Sequence, residues 1–277
     1  MKLRSLSSIT LLSALALGLV APSAVNAAES NGHVKVEVGE AKPEDPIVDP
    51  ENPDQGPDID PETPGVKPGE TGPLAITNTT DLEFGTIKTG NAQLKNNAAA
   101  ITLLDSEGKP SDKKRGALVS WSDIRGTNEG YTITAAMTKQ FALADGSKKL
   151  GGATISYTNS LIETKSINKD IAPAFDSSAF TLGEDGSAVT VVNAAKGKGA
   201  GTYVMEFGQS ADYDASNAVI GTSVTPAGTD TTGSSVTLTV PQATVASMTL
   251  GDYTSTVTWT IAATPTTPTE PEATPGA

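Results

Sequence analysis

The sequence has no cysteine. Disulfides, thiol catalysis and thiolate metal sites are therefore excluded, and any fold must be held by its core alone. Histidine occurs once, at His33, in a short polar stretch near the N-terminus. That position leaves Ser–His–Asp and Cys–His catalysis without a base and imidazole-based zinc hydrolysis without ligands. Aromatic residues make up only 4 % of the chain and are scattered, whereas a sugar-cleaving cleft usually stacks several of them. Paired carboxylates remain the one catalytic arrangement the composition permits, but nothing in the spacing selects a pair. The glycines of "GKGAG" match no phosphate-cradling pattern. The expectation is a protein that is not an enzyme and carries no cofactor or metal. Basic residues are also scarce, 19 against 32 acidic, for a net charge of −13. That balance excludes binding to phosphate backbones and charge-driven adhesion to an anionic membrane.

Long apolar runs are missing beyond the N-terminus. Residues 1–27 combine Lys2 and Arg4 with the apolar "LLSALALGLV" and the small residues of "VNAAES". This is the pattern of a secretory signal cleaved after Ala27. The apolar run is short of the roughly 20 residues a bilayer needs, which disfavours a retained anchor. Residues 28–72 are expected to be disordered. A brief alternation, "HVKVEV", is followed by an acidic, proline-rich spacer in which proline recurs every few residues with Asp or Glu between. Proline cannot donate to a ladder and like charges repel, so an extended segment without a core is predicted. The many aspartates raise a calcium site as the alternative, but no D-x-[DN]-x-[DN]-G loop is present. Residues 266–277 form a Pro/Thr tail with no sorting motif, apolar span or basic end, so attachment to a surface is expected to be non-covalent.

What fills the middle is strand signal. From residue 73 to 265, Thr, Val, Ala, Gly and Ser dominate, and alternating runs such as "LAITN", "LEFGTI", "GALVSWSD", "YTITAAM", "ATISYTN", "GTYVMEFG" and "SVTLTVP" sit between Gly, Asn and Asp. The fold class is all-β: a single β-sandwich or partly closed barrel of about ten short strands. Residues 193–199, "NAAKGKG", fit a helical turn or a loop equally well.

Two runs hold the candidate site residues. In "VSWSDIRGTNEGYTITAA", Trp121 alternates with serines, and Gly126 and Gly130 supply turn flexibility. A hairpin is predicted. Asp123 and Arg125, two apart, fit an ion pair that pins the loop or a ligand contact. In "YTSTVTWTIAATP", Tyr253, Val257, Trp259 and Ile261 share one face of a strand, while Thr254, Thr256, Thr258 and Thr260 share the other. The first face reads as core, with Trp259 packing near Tyr131 or Trp121. The hydroxyl row is a candidate surface for a glycan or a partner's edge strand, or an ordinary solvated face.

The second run resembles the Y-x-x-x-[LIV]-T-W-x-[LVI] motif of WxL-domain surface proteins of low-GC Gram-positive bacteria, through Tyr253, Val257, Thr258, Trp259, Ile261 and Pro265. The first run is similar to the family's other motif through Asp123, Arg125, Gly126 and Gly130. It carries Tyr131 where the family has tryptophan and Ile133 where it has leucine. "GPLAITNTTDLEFGTI", "KKLGGATISYTN" and "AAKGKGAGTYVMEFG" extend the resemblance over residues 72–265. The resemblance implies location at the cell wall, peptidoglycan or another wall polymer as ligand, and surface proteins of the same gene cluster as partners.

Overall fold

The computed structural model describes residues 32–221 and 225–264. The expected signal (1–27), Pro265 and the tail (266–277) lie outside the described residues. The chain divides into two units, Met1–Glu37 and Val38–Ala277. In the first unit the described residues run without regular structure and leave Val34 and Val36 exposed.

The second unit is all-β. In chain order its strands are β1 (Val66–Pro68), β2 (Leu74–Thr80), β3 (Leu94–Asn97), β4 (Ile101–Leu104), β5 (Pro110–Arg115), β6 (Ala117–Asp123), β7 (Tyr131–Leu143) and β8 (Thr154–Tyr157). They continue as β9 (Ser160–Glu163), β10 (Ala174–Phe175), β11 (Phe180–Leu182), β12 (Val189–Ala194), β13 (Gly201–Phe207), β14 (Val236–Val240) and β15 (Tyr253–Ala263). Among the described residues one α-helix, α1, spans Gln242–Ser247 and buries Val245. The strands form four antiparallel sheets, in the orders β1-β2-β6-β13-β9, β10-β12-β7-β15, β11-β8-β14-β3 and β4-β5. Among the described residues none closes into a barrel. The strands exceed the predicted number because short or polar ones, such as "LKNN" (β3) and "PSDKKR" (β5), carry no apolar alternation. "LEFGTI", predicted as a strand, is irregular, and 193–199 is the end of β12 and a loop.

The main core gathers side chains from three sheets: Trp121 of β6, Tyr203 and Met205 of β13, Tyr131, Ile133 and Met137 of β7, and Ile155 and Leu238 of β8 and β14. Strand β6 is buried at every position. Its odd residues Ala117, Val119 and Trp121 face this core, so its even residues face the opposite side of the sheet. There Leu118 and Val204 meet a second cluster made by Ile47, Val48, Ile59, Val66, Ile101 and Leu103.

This second cluster overturns the expected spacer. Residues 41–72 are not a coreless, disordered segment but a docked strap. Ala41 and Gly72 close its base with a pair of backbone hydrogen bonds of 3.1 and 3.0 Å, and Ile47 and Ile59 pin its middle at 3.0 and 2.7 Å. Asp45 and Asp60 accept backbone N–H groups of Lys42 and Glu62, replacing bonds that the prolines cannot supply. Asn78 donates to the Pro43 carbonyl at 2.9 Å.

The acids are docking groups. Asp49 takes both Nε and NH2 of Arg115 at 2.7 Å, in the two-pronged geometry that suits a guanidinium. Glu51 lies 3.2 Å from Arg115 NH1 and accepts the Ser210 N–H at 2.6 Å. All three charged side chains are buried. Lys165 pairs with Asp58 at 2.6 Å, and Ser166 bonds Asp54. Proline keeps most of the segment out of a ladder, which forms only at β1, but it does not deny side-chain burial. Ile47, Val48 and Ile59 supply the apolar area that the reading from composition overlooked.

Candidate functional site

The first motif is built on the connection between β6 and β7, which is not the predicted hairpin: the two strands do not pair but enter different sheets. Asp123 ends β6, where it lies opposite Leu74 of β2 and Gly201 of β13. Its carboxylate is buried and both oxygens are taken by Arg125, at 2.8 Å from Nε and 2.7 Å from NH2. Arg125 NH2 also donates to the Gly130 carbonyl at 3.0 Å, so one guanidinium ties the two ends of the loop. The hydrogen bonds that Arg125 donates to the Asp123 carboxylate hold the Arg125 pKa above its ordinary value despite partial burial. Of the two arrangements open from sequence, this is the ion pair that pins the loop. Gly126 and Gly130 adopt φ of 72° and 81°. At Gly130 a Cβ would sit 2.1 Å from the Ala194 carbonyl oxygen, so glycine is required there on two counts.

Tyr131, where the resemblance implies a tryptophan, is fully buried. Its hydroxyl accepts the indole N–H of Trp121 at 2.6 Å, and burial pushes its pKa well above the ordinary phenol value. Trp121 stacks on Tyr203, with ring centroids 5.8 Å apart. A phenol here supplies what a second indole lacks, an acceptor for Trp121.

The second motif is β15, whose one ladder partner among the described residues is β7, so it lies at the edge of its sheet. The register sets Ile261 opposite Ile133, Ala263 opposite Tyr131 and Trp259 opposite Ala135. The two motifs are thus neighbouring strands, and directly opposed residues share a face. Trp259 does not pack on Tyr131 or Trp121 as the sequence suggested. Tyr131 is four residues from Ala135 along β7, about 13 Å away in a strand. Trp259 instead meets Tyr157, Phe180 and Phe207 at centroid distances of 5.9, 6.1 and 6.1 Å. It is half-buried, as are Tyr253, Val257 and Ile261. Thr254, Thr256, Thr258 and Thr260 are exposed, and Thr258 shares a 2.7 Å hydrogen bond with Thr138 of β7.

A cleft of ≈ 480 Å³ opens beside this strand. Residues from both faces of β15, Tyr253 to Val257 and Trp259, line it together with residues 79–85 and Ile87. Side chains of opposite faces meet one cavity only where that cavity runs along the strand's edge. Leu82, Phe84, Phe141, Leu150 and Leu238 make its floor apolar, while Asp81 and Glu83 stand on its lip. Sequence reasoning missed this cleft, because its far wall is the irregular segment that it took for a strand.

No helix among the described residues is long and apolar enough to cross a membrane. Neither the curated proteins nor the solved structures give a match to the chain. A family model does: the WxL domain, described as surface and cell wall-binding, matches residues 23–265. The two motif strands lie side by side within that span, and the chain belongs to the WxL family of cell wall-binding surface domains.

Proposed function

We propose that the protein is exported by cleavage after Ala27 and is held on the wall without a covalent bond, with peptidoglycan or another wall polymer as the direct ligand. The contact surface is the hydroxyl row Thr254, Thr256, Thr258 and Thr260, joined to the cleft where Trp259 is partly uncovered. The observation that carries this reading is that two exposed hydroxyls of the row, those of Thr254 and Thr256, line the same cleft as the half-exposed indole of Trp259, a pairing that suits a glycan's polar rim and apolar ring face. Asp123 and Arg125 act in support, by fixing the loop that leads into β7. The family's description is a binding one, and the proposed role involves no catalysis.

The test is co-sedimentation of residues 28–277 with washed Gram-positive walls stripped of protein. Retention is expected, and a variant with all four threonines changed to alanine should fail to pellet while unfolding at the wild-type temperature. Equal retention of that variant would remove the hydroxyl row from the site. A second reading is a structural subunit whose direct ligand is a partner surface protein, favoured by the unpaired outer edge of β15. In that case the purified chain stays in the supernatant until the partner is added.

A further inference from the structure

Strand β15 is 11 residues long, contains no proline and no charged side chain, and borders the cleft, whose floor carries Leu82, Phe84 and Leu238. Sheet edges are ordinarily shielded by lysine, proline, shortness or a covering element, because an open edge is a template for another strand. The Thr264 N–H donates to the Gly130 carbonyl. Counting back by twos from that bonded pair, Ala262, Thr260 and Thr258 also bond across to β7. The N–H and C=O groups of Val257, Trp259, Ile261 and Ala263 therefore point outward. Among the described residues they have no hydrogen-bond partner.

The same chain carries a segment that fits such an edge. His33–Val38 alternates strictly, with Val34, Val36 and Val38 on one face and His33, Lys35 and Glu37 on the other. These valines are 82, 87 and 62 % exposed, among the most exposed large apolar side chains in the described residues. Six residues span about 20 Å when extended, close to the length of the open edge.

We infer that His33–Val38 of one copy adds as a strand to the outer edge of β15 in a second copy, so that the protein assembles with itself by strand donation. The three valines would enter the cleft over Phe84, Leu238 and Trp259, and the polar face would continue the threonine face of β15. Lys35 is the segment's basic residue, and Glu83 offers a carboxylate on the cleft's lip. The donated strand would share the cleft, though not the threonine face, with the surface proposed for the wall; changing the threonines tests wall retention and changing the valines tests association, so the two proposals fail separately.

The experiment follows residues 28–277 by sedimentation velocity at rising concentration, together with tryptophan emission. Trp121 is fully buried, so a change in emission reports on Trp259. The expected result is a mass that rises with concentration and a blue shift that accompanies it. Removing residues 28–38, or changing Val34 and Val36 to aspartate in the full chain, should leave a monomer. A synthetic peptide of residues 31–39 should then shift the emission of the shortened chain saturably. The same peptide with Val36→Pro should bind about tenfold more weakly or worse, since it loses a ladder hydrogen bond and a buried side chain. A wild-type chain that stays monomeric at every concentration would overturn the inference. So would association that survives both changes to the segment, or equal binding of the two peptides.

Discussion

The strap at residues 41–72 and the motif strand β15 invert what their sequences advertise. The strap has the composition of a solvated linker, yet it covers one face of a five-stranded sheet and buries Asp49 and Glu51 against Arg115. The motif strand has the alternation of a core strand, yet it lies at an edge and leaves Trp259 half-exposed. The difference teaches that alternation and burial are separate properties. Alternation says that successive side chains face opposite ways; it does not say how many neighbours the strand has. Proline spacing says that a backbone makes little ladder, here only the three residues of β1; it does not say that its side chains stay in water. A segment with so little ladder is stabilised when apolar side chains and a satisfied ion cluster offset the cost of ordering it.

The sharpest test of this inversion is Arg115→Ala. It would leave Asp49 and Glu51 buried without their cation, beside the buried Glu206, and breaking such a cluster from one side costs about 3–5 kcal/mol. Urea unfolding should show that loss, and limited proteolysis should begin within residues 41–72. A loss below about 1 kcal/mol would mean that the strap is tethered by its apolar residues alone. Trp259→Ala is expected to cost less, about 2 kcal/mol, because a half-exposed side chain gives up less burial than the 3–5 kcal/mol of a fully buried one. Thermal unfolding of the two variants side by side checks the order. If Trp259→Ala proves the more damaging, the motif strand outranks the strap and the comparison fails.

Much of the β15 region was legible in sequence for a physical reason. A strand's period of two is written directly in "YTSTVTWTI", so the division into an inner face and a threonine face follows residue by residue. Its position at the edge, and its opposition to Tyr131 and Ile133, were not legible, because register and sheet order are long-range properties. The Asp123–Arg125 pair was legible as a local contact, since residues two apart in an extended chain lie on one side. The Arg115 cluster was not, because Asp49 and Arg115 are 66 residues apart and nothing local marks them as partners. The strap's only sequence clue was Ile47, Val48 and Ile59 standing among prolines and acids, a signal that composition averages away.

A smaller effect should come from the carboxyls beneath the strap. Glu206 lies on the same face of β13 as Val204, fully buried, with Oε1 accepting the Gly116 N–H at 2.9 Å. Glu163 of β9 sits opposite Val204 and accepts N–H groups of Val219 and Ile220 at 3.1 and 3.0 Å. Burial raises both, Glu206 well above the ordinary value of 4.5 and Glu163 to about 7. A carboxyl whose pKa is higher in the folded state binds its proton more tightly there than in the unfolded chain. Its stabilising contribution is complete below pH 4.5 and is lost as pH rises through the folded value. Compared with Glu206→Gln, the wild-type protein should therefore lose stability on the order of 1 kcal/mol more as pH rises from about 5 to about 8. Unfolding midpoints taken across that range give the difference directly, and parallel curves would mean that Glu206 does not titrate with folding.

The smallest effect is expected on the motif strand's outer face, where it sharpens the comparison most. Thr258→Ala removes one exposed hydroxyl hydrogen bond, to Thr138, and water can take its place. Stability should change by no more than about 0.5 kcal/mol. The strap's variants must act through the fold, because their side chains are buried. A variant on the threonine face has no such route, so any loss of wall retention by Thr258→Ala at unchanged stability would have to come from contact with the wall. Retention that follows the unfolding temperature, across Arg115→Ala, Trp259→Ala and Thr258→Ala alike, would instead make both regions scaffolding and move the wall contact to another surface.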